Sequence, residues 1–193
     1  IQSSKNFPVH IDPRSAFFVL NPQKDLEESE KRLVPLFKNL KWNGFVKNSP
    51  NKEEMLNRLQ STDLFVYCGH GSGREFFDYD SLISQQKQCK STMMLMGCSS
   101  GKLIDDGEID PIGVPYSCVA AGAGAVVANL WNVTDGEIDR FTSSLLEKMK
   151  KNGNNEEEFV LENEVLKCRS ACKLKYLTGA APVVYGFPTL VHK

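Results

Sequence analysis

Two stretches of the chain end in residues able to do covalent chemistry. In "LFVYCGHGSG" (64–73) an apolar run with strand character stops at a glycine and delivers His70 into a loop nearly free of side chains. In "MMLMGCSSG" (93–101) a second apolar run stops at a glycine, and the first side chain beyond it is Cys98. Thiolate is the reactive form of cysteine, and an imidazole beside it can take the thiol proton. Acyl transfer also needs donors for a developing oxyanion. The backbone N–H of Gly71 and that of Cys98 itself suit the role, because a bare loop lets a substrate carbonyl press against main chain. Cys98 as nucleophile and His70 as base is one reading of the two turns.

Others compete with it. Taken singly, a histidine after a strand is usually an ordinary loop residue, and a free cysteine is among the most buried residue types. It is the matched placement of the two that weighs against this. "GCSSG" (97–101) also fits G-x-S-x-G with Ser99 as nucleophile. That elbow needs a helix directly after it and the order serine, acid, histidine. Here "KLIDDGEIDPIGVP" reads as loop, and only His192 follows. For a metal site, Cys68 and His70 would face one way on a strand, and Cys168 and Cys172 would share a helix face. Neither pair has the CxxC or HExxH partners a site requires. "GHGSG" lacks the lysine and hydroxyl of a P-loop.

The elements that must carry these turns alternate. Apolar strands are expected at 15–21, in "GFVKN", before His70, before Cys98, at 124–131 and in "APVVYGFPT". Helices are expected at 25–40, with Pro35 kinking it or opening a new first turn, and at 49–60, capped by Ser49 with Pro50 first. Further helices are expected at 79–90, 115–123, 134–150 and 157–177, the fifth capped by Thr134 with Glu137 in a capping box. "KKNGNNEEEF" reads as a surface loop. Strands separated by helices imply an α/β fold, a mainly parallel sheet covered on both faces. Function in such sheets gathers beyond the carboxyl ends of the strands, where His70 and Cys98 both lie.

Composition narrows the classes. The 193 residues suffice for one domain with a real core, and 41% of them are hydrophobic. With 23 basic against 24 acidic residues the formal net charge is −1, which offers no field for nucleic acid or a membrane surface. No apolar run is long enough to span a bilayer, and "IQSSKNFPVHIDPRS" lacks the order of a signal peptide. Of the six cysteines, Cys68 lies inside an apolar strand and Cys168 and Cys172 on consecutive turns of one helix, a setting unlike a disulfide framework, which favours a reducing intracellular compartment.

The chain resembles the protease domain of the separase family, within the caspase-like cysteine peptidases. The matches are "DLFVYCGHGSGREFF", "LMGCSSG", "GEIDPIGVPYSCVAAGAGAVVANLWNVTDGEIDRF" and "LKYLTGAAPVVYGFP". "MGCSSG" departs from the caspase Q-A-C-[RQG]-G pattern. The resemblance implies a three-layer α/β/α sandwich and one domain over residues 1–193, the C-terminal catalytic fragment of a larger chain. It implies cleavage of the kleisin subunit of cohesin after arginine, inhibition by securin as a pseudosubstrate, no cofactor or metal, and work in the cytoplasm and nucleus. A CHAT-type protease with another substrate and a non-catalytic interaction module are the alternatives.

Arginine at the cleaved position would be read by acidic residues in "NLWNVTDGEID", which leaves a strand and enters a helix at Thr134. Asp135 lies in the first helical turn, where the dipole alone favours an acid. Asp139 lies one turn on, in the position that the resemblance gives to the family's arginine pocket. A carboxylate there could accept a bidentate pair from guanidinium. Trp131 could offer a stacking face, though a core role is the plainer expectation for a tryptophan.

Overall fold

The computed structural model describes residues 8–75, 89–105, 107, 111–151 and 159–192. In chain order the elements are β1 (Val9–Ile11), β2 (Ala16–Leu20), α1 (Glu27–Asn39), β3 (Asn43–Val46), α2 (Lys52–Ser61), β4 (Leu64–Cys68) and β5 (Thr92–Leu95). There follow α3 (Val114–Ala120), β6 (Ala125–Asn129), α4 (Asp135–Lys151), β7 (Phe159–Val160), α5 (Leu161–Cys168), β8 (Pro182–Gly186) and β9 (Thr189–Val191). Most of the helix expected at 79–90 and of the loop expected at 151–158 lies outside the described residues, and Cys89 and Lys90, which are described, are not helical.

Six strands form one sheet in the order β3-β2-β4-β5-β6-β8. All neighbours are parallel except β8, which runs antiparallel to β6. Side chains alternate across a strand, and here the alternation feeds two cores. Phe18, Leu20, Val66, Met94 and Val127 pack with Leu33 and Phe37 of α1 and Phe141 and Leu145 of α4. Phe17, Val19, Phe65, Tyr67 and Met93 pack with Met55 and Leu59 of α2 and Cys118 of α3. Helices therefore cover both faces, and the strands read as unbroken apolar runs because neither face meets water. A second, three-stranded sheet, β1-β9-β7, was not expected. Its strands hold only two or three residues each, too few for a period to show.

Local expectations fail where tertiary contacts override them. Helix α1 continues through Pro35, which sits on the exposed face while Leu33 and Phe37 anchor the buried one. The carbonyl freed by the missing N–H thus points to solvent, where water can satisfy it. Helix α2 is capped by Asn51 rather than Ser49, its Oδ1 accepting the Glu54 N–H at 2.9 Å. The single helix expected over 157–177 stops at Cys168 and passes into a 3-10 turn, Arg169–Ala171. The chain must reverse there to bring β8 back antiparallel. Gly179 permits it: a Cβ at that position would lie 2.6 Å from both the Arg169 and Lys175 carbonyl oxygens.

The functional consequence is geometric. Because β2, β4, β5 and β6 are parallel, the segments after Leu20, Cys68, Leu95 and Asn129 all emerge at one end of the sheet.

Candidate active site

His70 leaves β4 on a loop shaped by glycine and held from below by Tyr67. The buried Tyr67 hydroxyl donates to the His70 carbonyl at 2.8 Å. Burial pushes that phenol up to about 12, so it stays a donor at neutral pH. A Cβ on Gly69 would lie 2.5 Å from the same hydroxyl oxygen, which explains the bare position. Gly71 adopts φ +56°, the left-handed region that glycine enters without steric cost. The His70 side chain is half-exposed, and its Nε2 lies 3.1 Å from Asp25 Oδ2.

Cys98 sits on the neighbouring turn, after β5. An ideal Cβ on Gly97 would lie 1.9 Å from the Gly71 carbonyl oxygen and 2.5 Å from that of Gly69. The two loops therefore touch backbone to backbone, and only glycine at 97 allows it. Beneath the turn, Asn129 at the end of β6 donates its side-chain amide to the Gly97 carbonyl at 3.0 Å. The Ser100 hydroxyl donates to the Leu95 carbonyl and accepts the Asn129 N–H. Ser99 takes φ +51°, with its N–H on the Trp131 carbonyl and its hydroxyl on Asn132 Oδ1. Serine 99 is thus part of the scaffold of the turn. The described residues of 102–113 form an antiparallel bridge, Ile104 to Ile112, before α3 begins, so the helix that a serine elbow needs is missing there.

The half-buried Cys98 thiol donates to the Val133 carbonyl at 2.9 Å and receives the Val133 N–H at 3.4 Å. His70 and Cys98 lie on touching loops, yet each is hydrogen-bonded elsewhere in this state. Among the described residues, neither the Gly71 nor the Cys98 N–H donates to a protein acceptor. Unpaired backbone donors are what acyl transfer requires for its oxyanion.

Val133 leads into α4, which carries the acidic residues. Asp139 is only 4% exposed and accepts the Ser29 hydroxyl at 2.9 Å. Burial pushes its carboxyl up to about 6, against the opposing pull of Ser29 and Arg32. An ionised carboxylate in such a place depends on the hydrogen bond from Ser29 and on the positive charge of Arg32 to offset its burial. Asp135 is exposed and acts on Asp139 as a neighbouring negative charge. Trp131 is not a core residue: it is 38% exposed and its Nε1–H donates to the Leu177 carbonyl at 3.1 Å. Glu137 does not close a capping box. Its carboxylate is buried against Arg140 and accepts the Leu174 N–H and the Thr178 hydroxyl, both at 3.1 Å.

The expectation that Cys68 and His70 face the same way on one strand also fails. Strand β4 ends at Cys68, whose thiol is buried and pushed far up by desolvation, while His70 lies out in the loop. Among the described residues no group of three or more His, Cys, Asp or Glu is placed to hold a metal ion. What sequence reasoning missed is the layer that orients the loops: Asp25, Asn21, Tyr67, Asn129 and Glu137. Asp25 was within reach of the rule that found His70, since it too follows a parallel strand.

Comparison with known proteins bears on the family and the fold. Residues 2–138 match the family "Separin, protease domain". The chain is 40% identical over 197 residues to the separin of Emericella nidulans, covering 97% of this chain and 9% of that protein. It is 36% identical over 188 residues to that of Schizosaccharomyces pombe, covering 95% and 10%. It is 35% identical over 179 residues to that of Mus musculus, covering 92% and 8%. The chain thus spans about a tenth of the length of these relatives. Among solved structures, the Saccharomyces cerevisiae separase–securin complex superposes with a TM-score of 0.85 at 33% identity, over 97% of this chain and 13% of that one. The α/β architecture with its six-stranded, mostly parallel sheet is that of the separase structure. The chain belongs to the separin family and carries its protease domain.

Proposed function

We propose that this domain cleaves the kleisin subunit of cohesin after arginine, with Cys98 as nucleophile and His70 as base, and that a securin-type inhibitor competes for the same groove. The observation that carries the catalytic part is the contact of Gly97 with the carbonyls of Gly69 and Gly71, which lays the two loops side by side. Substrate identity rests on family membership, and the securin-type partner on the complex crystallised for the yeast relative. On this reading the chain is the catalytic piece of a longer protein that works in the cytoplasm and nucleus.

The chemistry runs in two halves. Cys98, released from Val133, gives its proton to His70, and the thiolate attacks the scissile carbonyl carbon. The carbonyl oxygen becomes an oxyanion held by the N–H groups of Gly71 and Cys98. His70 returns the proton to the leaving amine, and the carbon–nitrogen bond breaks to leave a thioester on Cys98. Water, deprotonated by His70, attacks the thioester, and the acid product leaves as the thiol is restored. Asp139 receives the arginine guanidinium, with Asp135 and Trp131 at the rim of its pocket.

The test uses the intact protein and an arginine-ended acyloxymethyl ketone. It should modify Cys98 alone, and Cys98→Ser should lose both labelling and peptide cleavage while keeping the melting temperature. His70→Ala should cost about 100-fold or more, the low end for a general base. Labelling should fall as a securin peptide is added. Full turnover by Cys98→Ser overturns the nucleophile, and simultaneous full occupancy by probe and peptide overturns the shared groove.

A further inference from the structure

We propose that Asp25 is a positioning residue that holds the His70 imidazole with its proton on Nε2, leaving Nδ1 as the basic nitrogen that serves Cys98. The inference rests on the reading of His70 as base. A carboxylate can only accept, so the 3.1 Å approach of Asp25 Oδ2 to Nε2 fixes the proton on that nitrogen in the neutral ring. A ring with Nε2–H has its lone pair on Nδ1, and only that nitrogen is then free to take a thiol proton.

Asp25 is placed for this by the segment that leaves β2. Asn21 is fully buried, in the left-handed region at φ +51°, and its N–H donates to the Cys68 carbonyl at 2.8 Å. Its Oδ1 accepts the N–H of Asp25 at 2.9 Å and that of Leu26 at 3.0 Å, and its amide nitrogen donates to Glu30. The segment holding Asp25 is thereby tied to the end of β4, two residues before His70. Two adjacent parallel strands thus present the carboxylate and the imidazole to each other at fixed register.

The pair itself adds little to stability. The Asp25 and His70 side chains are 59% and 49% exposed, and exposed ion pairs are weak. A purely structural role therefore predicts nothing from truncating Asp25, whereas an orienting role predicts a loss of turnover alone.

The experiment measures kcat and KM of the intact protein on a fluorogenic peptide ending in arginine. Asp25→Ala should lower kcat at least tenfold, with KM within twofold and an unchanged melting temperature. Acetate or formate, small enough to fill the vacated place, should restore part of the kcat of Asp25→Ala and none of that of His70→Ala. Wild-type kcat in Asp25→Ala overturns the assignment. So does a loss accompanied by a lowered melting temperature and no carboxylate rescue. Cys98→Ser and His70→Ala are measured alongside: if these turn over normally, the nucleophile and base are misassigned, whatever Asp25 does.

Discussion

The α-carbon of Gly97 faces the Gly71 carbonyl so closely that a methyl group on it would lie 1.9 Å from the oxygen. The obstacle is backbone on both sides, with a second carbonyl, that of Gly69, at 2.5 Å. No flexible side chain can move aside. Gly97→Ala should therefore part the His70 loop from the Cys98 turn. Displacements of about 1 Å in a catalytic pair can cost on the order of 100-fold in rate. We expect a loss of at least that size in kcat/KM with the sheet intact by circular dichroism. Near-normal cleavage by this variant would mean that the touching loops do not set the catalytic geometry.

Gly71 presents the opposite case. Its φ of +56° disfavours any other residue, yet among the described residues a Cβ there meets no atom within 4 Å beyond its chain neighbours. The sequence suggested crowding of a substrate carbonyl, and the structure adds conformational strain. Alanine in a left-handed position costs about 1–2 kcal/mol. Gly71→Ala should lower stability by about that amount and reduce turnover further if the N–H tilts from the oxyanion. Gly71→Val, β-branched, should be worse on both counts. Urea denaturation and peptide cleavage separate the two effects, and unchanged turnover in both variants removes Gly71 from the oxyanion hole.

The sheet and the two reactive turns were legible because they rest on long-range consistency. Five-residue runs such as Leu64–Cys68 are buried on both faces and so are apolar throughout. The glycines at 69 and 97 mark close approach and that at 71 a left-handed backbone, all in plain letters. The orienting layer was hidden because it depends on which strands are neighbours. Asn21 and Cys68 meet only because β2 lies beside β4, and nothing local to either strand encodes that pairing. Likewise Glu137 looked like a capping residue three positions after Thr134. Its true partners, Leu174 and Thr178, arrive from a turn far along the chain. The 3-10 turn after Cys168 escaped for a related reason, since helical spacing alone does not say when a strand must be brought back.

Glu137 should be the main anchor of that turn. Its carboxylate serves the Leu174 N–H, the Thr178 hydroxyl and the Arg140 guanidinium while only 5% exposed itself. Glu137→Ala takes the acceptor from the Leu174 N–H and the Arg140 guanidinium, while the Thr178 hydroxyl keeps the Leu174 carbonyl, at about 1–3 kcal/mol for each donor left unpartnered and buried. We expect a loss of about 2–4 kcal/mol in urea denaturation. The turn also carries Leu177, whose carbonyl accepts the Trp131 indole N–H, so Trp131 fluorescence should shift in the folded variant. A variant as stable as wild type with unaltered emission would show that the turn is held by other contacts.

Asp139 gives the site a pH signature of its own. Burial raises its carboxyl from 3.8 to about 6, so the folded protein keeps the proton that the unfolded chain releases. Its contribution to stability is therefore fully present below about pH 3.8 and is lost as pH rises through about 6. Above that range a buried carboxylate with only Ser29 as donor weighs against folding. Asp139→Asn removes the titration, so its stability relative to wild type should increase between pH 4 and 7. Arginine recognition has the opposite sign. Guanidinium binds the ionised carboxylate, so the preference of the wild type for arginine over citrulline should weaken as pH falls below about 6. Asparagine keeps the shape and loses the charge, and its preference should be small and flat across the same range. Paired peptides ending in arginine and citrulline, cleaved by both enzymes from pH 5 to 8, read the two trends together. Equal, pH-independent preference for arginine in wild type and Asp139→Asn would place the arginine pocket away from α4.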